Sequence, residues 1–329
     1  MSLNQSLDHL SPKRQQALAR ARDIILEELK ARAESRGTSK AKRYRLLKLI
    51  LFGQFARGAG PSDTPPGTKS AMHLLVIVSH RDLTGMSAFW EEVEDRIMND
   101  RQVKCPVTLI IHTLPDVNRH IKDGAYFFTE IITQGIMIHE DMEPGKDGLP
   151  KNILARPIAP DPQTAHELAS RFHSRWLKKA NLSLQDGRFH AGEDIDENNH
   201  AAFCLNQAAE SIYRMFLLTV TQYAPASHHL GKLRSLARAI DPRIDDAWAP
   251  LQKPYSQYFQ LLQRAYLEAR YSSDYETGAD ILAWQADRIE LLINLAEALC
   301  VEHLDRLRAG YGEQNCMSSR TLVSGGDDR

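Results

Sequence analysis

Leu49-Ile50-Leu51-Phe52-Gly53-Gln54-Phe55-Ala56-Arg57-Gly58 decides how the first half of the chain is read. Four apolar residues stop at a glycine, the pattern of a short buried strand. Downstream, Gly58 to Ser70 holds Gly58, Gly60, Pro61, Pro65, Pro66 and Gly67 and predicts a loop. Leu74-Leu75-Val76-Ile77-Val78 then reads as a second buried strand. Met86 to Met98 forms a helix with Phe89, Val93 and Ile97 on one face. Val107 to Ile111 is a third strand. Asp123-Gly124 is a turn, Tyr126 to Thr133 a short helix, and Ile136 to Ile138 a last strand. Upstream, Ser11-Pro12 starts a helix carrying Leu18, Ile25 and Leu29, which ends near Gly37. Strands alternating with helices predict a small α/β domain over residues 40–142, preceded by an N-terminal helix over 1–39.

Glu143 to Pro162 is rich in Pro, Gly and Asp and reads as a linker. Beyond it the pattern is helical only. Helices are predicted over about 163–190, 197–223, 230–240, from Tyr255 to Tyr266, and over about 278–308. The second has Leu205, Ala209, Ile212, Phe216 and Val220 as its apolar stripe. The sequence thus predicts an α+β protein, a small mixed-sheet domain followed by an all-α antiparallel bundle over 163–308. A polar tail over 309–329 is expected to be disordered.

The 329 residues are 43% hydrophobic and 25% charged, as in ordinary globular domains, with a formal net charge of -1. That balance argues against nucleic acid as the main partner and against anionic membranes. Residues 1–60 hold 13 Lys/Arg against 5 Asp/Glu, which fits either a phosphate-facing arm or a solvated helix face. Cys105, Cys204, Cys300 and Cys316 form no Cys-x-x-Cys pair, so neither a zinc site nor a disulfide framework is suggested. Met1 to Leu10 lack the apolar core of a signal peptide, and no run approaches the roughly 20 apolar residues that span a bilayer. A reducing, cytoplasmic setting is expected, with no membrane association.

The segment from Leu49 to Gly58 resembles the opening motif of the nucleotidyltransferase superfamily. There a strand runs into Gly-Ser at a helix start whose N–H groups cradle nucleotide phosphates. The resemblance covers roughly residues 40–142 and includes Leu109-Ile-Ile-His112-Thr-Leu114, Asn118, Gly124-Ala-Tyr-Phe-Phe and Gln134-Gly-Ile136. It implies an Asp-x-Asp pair on the next strand, holding two Mg²⁺ ions about 4 Å apart. Here those positions are Ala71 and His73, and the usual serine is Gln54. Alanine cannot ligate a metal, and neutral histidine prefers softer ions than Mg²⁺. Asp63 and Asp82 lack partners two residues away, and Glu140 and Asp141 lie beyond the last strand. Two-metal transfer chemistry is therefore expected to be lost. No metal site is expected; His73 and His112, with His139 beside them, are the weak candidates. Glycine at 53 and 58 alone fits a plain tight turn equally well.

Residues 163–308 resemble HEPN domains. The resemblance rests on Ala202-Phe203-Cys-Leu-Asn-Gln207-Ala-Ala-Glu210, Ser227-His228-His-Leu230 and Ala265-Tyr266-Leu-Glu-Ala-Arg270-Tyr271. HEPN ribonucleases carry Arg followed after four to six residues by His, for phosphate charge and proton transfer. No arginine here has that partner; after Arg270 comes Tyr275, so ribonuclease activity is not expected. The pattern resembles instead the non-nuclease HEPN branch, implicated in binding nucleotides or other small polar ligands. Tyr255, Tyr258, Phe259 and Tyr266 read as core. Arg270 fits ligand binding or an ion pair with Glu210 or Asp274.

The resemblances together imply a nucleotide or similar phosphate-bearing ligand, ATP or GTP being examples, held in a cleft between the domains without tightly bound Mg²⁺. Gly53, Gln54, Arg57 and Gly58 would take phosphate, and His228, Arg270, Tyr271, Asp274 and Tyr275 would line the opposite wall. The alternatives are a transferase with rearranged metal ligands and a ligand-free homodimeric interaction protein. Pairing through the helical bundle is expected in any case.

Overall fold

The computed structural model describes residues 3–35, 44–57, 71–141, 152–158, 161–192, 194–248 and 252–323, with side chains described up to residue 310. It has an N-terminal α/β region and a C-terminal helical region, an α+β chain as the sequence predicts. The chain divides into two compact units, residues 1–159 and 160–329. Among the described residues no helix is long and apolar enough to cross a membrane.

The first unit is built on β1 (Leu46–Phe52), whose seven side chains are all buried. It pairs antiparallel with β2 (Met72–Val78) on one side and β4 (Ile136–Glu140) on the other. β2 pairs in parallel with β3 (Val107–Thr113), giving a mixed sheet of order β3-β2-β1-β4. Strand alternation sends Leu49, Leu51, Leu74, Val76 and Leu109 to one face. There they pack with Leu18, Ile25 and Leu29 of α1 (Pro12–Ser35) and with Phe89, Val93 and Ile97 of α2 (Ser87–Asn99). The other face carries Ile50, Phe52, His73, Leu75, Ile77 and His112. α3 (Leu114–Lys122) and α4 (Tyr126–Gln134) contact the strands there, with the Phe127 ring edge-on to Phe52 and Phe128 edge-on to His112. Asn118 of α3 also accepts from the Ala155 amide and donates to the Ile153 carbonyl, tying part of the expected linker to this unit.

The second unit centres on α6 (Ile195–Thr221), buried around most of its circumference. α5 (Pro162–His190) lies antiparallel to it, and α10 (Ala279–Val323) packs on both. α7 (Leu230–Ile240), a 3-10 stretch over Pro242–Trp248 and α8 (Tyr255–Arg264) close the bundle. Trp248 Nε1 donates to Tyr213 Oη at 2.6 Å, and Arg234 is bidentate on buried Asp245 at 2.5 and 2.9 Å.

Four differences from the sequence reading have local causes. β1 begins at Leu46 because Lys48 is buried by an ion pair with Glu140, so its charge does not end the strand. α3 starts directly off β3, capped by Thr113 and opened by Pro115. The fourth helix, predicted from Tyr255 to Tyr266, ends at Arg264 as α8, and after Ala265 to Leu267 a separate single turn follows, α9 (Glu268–Tyr271). α10 runs on to Val323 through most of the stretch expected as a disordered tail. The predicted loop over 58–70 lies outside the described residues.

His112 makes the first unit acid-sensitive. Its burial, then the nearby His120 charge, lower its pKa to about 4, and Asp116 opposes this only in part. The folded value lies below the unfolded one, so the neutral ring stabilises fully above about pH 6.5, and the benefit is lost as pH falls toward 4. A shift of that size corresponds to about 3 kcal/mol. Denaturant unfolding of the full chain between pH 7 and 4.5 is expected to show a steeper loss for the wild type than for His112→Gln. Parallel pH profiles would refute this role.

Candidate functional site

In the first unit the glycine turn forms, with Gly53 at φ 76°, a left-handed conformation that suits glycine. The residues after it make a turn rather than a helix start: the amides of Ala56 and Arg57 both donate to the Gly53 carbonyl, at 3.1 and 3.2 Å. Two N–H groups expected at phosphate are thus spent inside the turn. The N-terminal segment caps it from outside, with His9 Nε2 at 2.9 Å from the Phe55 carbonyl and the Arg14 guanidinium over the Phe55 ring. Arg57 pairs with Glu130 at 2.6 Å, while burial pushes the Glu130 carboxyl above its usual range. Gln54 is half-buried within the turn. Gly58 lies outside the described residues.

Ala71 and His73 are buried at the entry to β2. The His73 ring packs against Phe52 at 5.6 Å. His73 pairs with Thr108, four residues before His112, so the two histidines are separated by about 13 Å along the sheet. They do not converge on one ion. Among the described residues no group of three or more His, Cys, Asp or Glu surrounds a common point.

The second unit gathers its residues far more closely. Glu210, on α6, is buried with 7% side-chain exposure. An isolated carboxylate there would be costly, and two cations or donors meet it. Arg214, one turn on, donates from Nε to Glu210 Oε1 at 2.8 Å. Its other nitrogens donate to the carbonyls of Pro225 and Ser227, at 3.1 and 2.8 Å, fixing the connection into α7. That connection delivers His228, whose Nδ1 lies 3.0 and 3.1 Å from the two Glu210 oxygens. Nδ1 is engaged by the carboxylate, so Nε2 of the half-exposed ring is the nitrogen left for another partner. The ring stacks on Tyr266, with centroids 4.4 Å apart and planes 8° apart.

Arg270 extends the same face. Its Nε and Nη2 donate to the Tyr266 carbonyl at 2.9 and 2.5 Å. The guanidinium lies over the rings of Phe203, Tyr266 and Tyr271, at 4.6, 4.8 and 5.0 Å. It pairs with neither Glu210 nor Asp274; Glu210 is satisfied by Arg214 and His228 instead. Nη1 remains unengaged among the described residues, and Tyr271 is 78% exposed. The face therefore offers an arginine donor, an imidazole nitrogen and an open aromatic ring.

Two expected wall residues stand apart from it. Tyr275 is 1% exposed and donates to the Leu261 carbonyl at 3.1 Å. Burial raises its phenol pKa, so it is a core residue and not a base on an open wall. Asp274 is exposed and accepts at 3.4 Å from Ser273 Oγ. Glu210, Arg214 and Trp176, which lies 5.7 Å from the Arg214 guanidinium, are members that spacing alone did not assign to the site. Glu210 followed by Arg214 at i+4 was the available signal.

Glu210→Ala should cost about 3–5 kcal/mol, because it leaves Arg214 buried without its counter-charge. Arg270→Ala, at the exposed end, should cost less than about 1 kcal/mol. Denaturant unfolding of both variants reads the difference; similar costs would contradict the assignment of Glu210 as the anchor.

Residues 173–305 match the family model of the HEPN domain. No curated protein gives a match to the chain. The second unit thus carries a HEPN domain that spans α6, the turn bearing His228, and α9.

Proposed function

We propose that this HEPN domain binds a nucleotide or a similar small phosphate-bearing ligand, and that the first unit is a nucleotidyltransferase-like domain without two-metal chemistry. The observation that carries the reading is Arg270, exposed on an aromatic bed with one guanidinium nitrogen unspent. Arginine is the side chain best suited to phosphate oxygens, since its donors are planar and its charge is permanent. Tyr271 offers a ring for a base to stack on, and His228 Nε2 a polar contact beside it. The lack of an Arg-to-His spacing, and a buried Tyr275, support binding over ribonuclease chemistry.

For the first unit, the reading rests on Ala71 and His73 at the expected acid positions and on the resemblance of residues 40–142. A transferase with rearranged ligands is less well supported, since His73 packs against Phe52 and lies far from His112 along the sheet. Self-association of the helical unit has one observation in its favour. Leu182, Phe189 and Ile195, near the α5–α6 turn, are 52%, 83% and 51% exposed. Light scattering of the full chain, compared with Phe189→Ser, tests it.

Calorimetry of the full chain with ATP, GTP, AMP and GMP, with and without Mg²⁺, tests the binding reading. At least one should bind without requiring Mg²⁺, and Arg270→Ala should weaken it at least about tenfold, or 1.4 kcal/mol. No binding of any of the four at millimolar concentration would overturn the reading. Transfer of a labelled nucleotide that is lost in His73→Ala would instead favour the transferase.

A further inference from the structure

Arg175, Lys178, Leu182, Asp186 and Phe189 are all exposed, and they follow one another along α5 at steps of three, four, four and three residues. Such steps keep all five on one face of the helix. The spacing is also a palindrome about Leu182, with members four and seven residues to either side. We infer, resting on the self-association reading above, that the helical unit pairs through this face. Its occupant is the same face of a second copy, running antiparallel, with a two-fold axis through Leu182.

A two-fold axis across a helix exchanges positions that lie equally far from it. Leu182, 52% exposed in the single chain, then meets its own copy. Lys178 comes level with Asp186 of the second copy, and Asp186 with Lys178 of the second copy. Arg175 comes level with Phe189, which is 83% exposed and presents a ring for the guanidinium to cover. At the roughly 20° crossing common to long antiparallel helices, the two faces stay close for two turns either side of the axis.

Charge selects both the occupant and its direction. Arg188, on the same helix, is taken up by Asp287 and Glu290 of α10, whereas Arg175, Lys178 and Asp186 make no ion pair among the described residues. In a parallel pairing each of them would face its own kind and repel. Reversal of one helix turns the same residues into two Lys–Asp pairs flanking a leucine contact. A polyanionic partner would suit the basic half of the face, but Asp186 and the bare Phe189 ring would oppose it. Two such helix faces make an interface at the small end of the usual range, so a dissociation constant on the order of micromolar is expected.

Sedimentation of the full chain at micromolar concentration, with charge variants, provides the test. The wild type should form a dimer. Lys178→Asp and Asp186→Lys each set like charges opposite at two points, and each should weaken self-association at least about tenfold. An equimolar mixture of the two variants should regain the wild-type affinity, since every facing pair is again opposite in sign. That recovery would also show both variants to be folded. Oxidation should crosslink Leu182→Cys to its own copy, beyond any crosslinking of oxidised wild type. Arg175→Cys should not crosslink, because its two copies stand about 21 Å apart along an antiparallel pair. A monomeric wild type would overturn self-association altogether. A dimer that both charge variants leave unchanged, or that the mixture fails to restore, would overturn this face alone. Crosslinking of Arg175→Cys as readily as Leu182→Cys would overturn the antiparallel register.

Discussion

Glu210 is a carboxylate on a helix that has almost no solvent-facing side, and the site of the helical unit depends on how that charge is neutralised. Arg214 alone would balance it. Arg214, however, also holds the Pro225 and Ser227 carbonyls, so the ion pair fixes the path of the chain into α7. His228 is thereby placed against the same carboxylate, and its ring orientation sets Tyr266 beside it. Arg270 then rests on the Tyr266 ring and carbonyl. Each contact is modest alone, but in sequence they carry a buried charge outward to an exposed guanidinium. Breaking the first member leaves buried charge unpaired, whereas removing the last changes only the surface.

In the first unit the corresponding constraint is the sheet. β1 and β2 are buried at every position, so a polar residue within them requires a partner fixed in the fold. Lys48 has Glu140, 92 residues away. His73 has the Phe52 ring. Acid side chains at Ala71 and His73 would need cations or water at the same place. The buried surroundings observed at both positions suit uncharged side chains.

Most of the architecture is legible in the sequence because apolar periodicity reports burial directly. The strands, α2, α4, α5, α6 and α7 all obey that rule. Three failures share a physical origin in partners distant along the chain or hidden by adjacency. Lys48 interrupts the apolar run of β1, and only Glu140 makes it a strand residue. α3 comes straight off β3 without a loop, although Thr113-Leu-Pro-Asp carries a helix-start signal. The break between α8 and α9 is invisible to periodicity, since Tyr266 keeps helical spacing with Tyr258 and Leu262. The site is legible in its members more than in its geometry. Motifs single out Arg270, Tyr271 and His228, but they put Tyr275 on the wall instead of in the core. The Glu210 partnership needs the fold, because 18 residues separate it from His228.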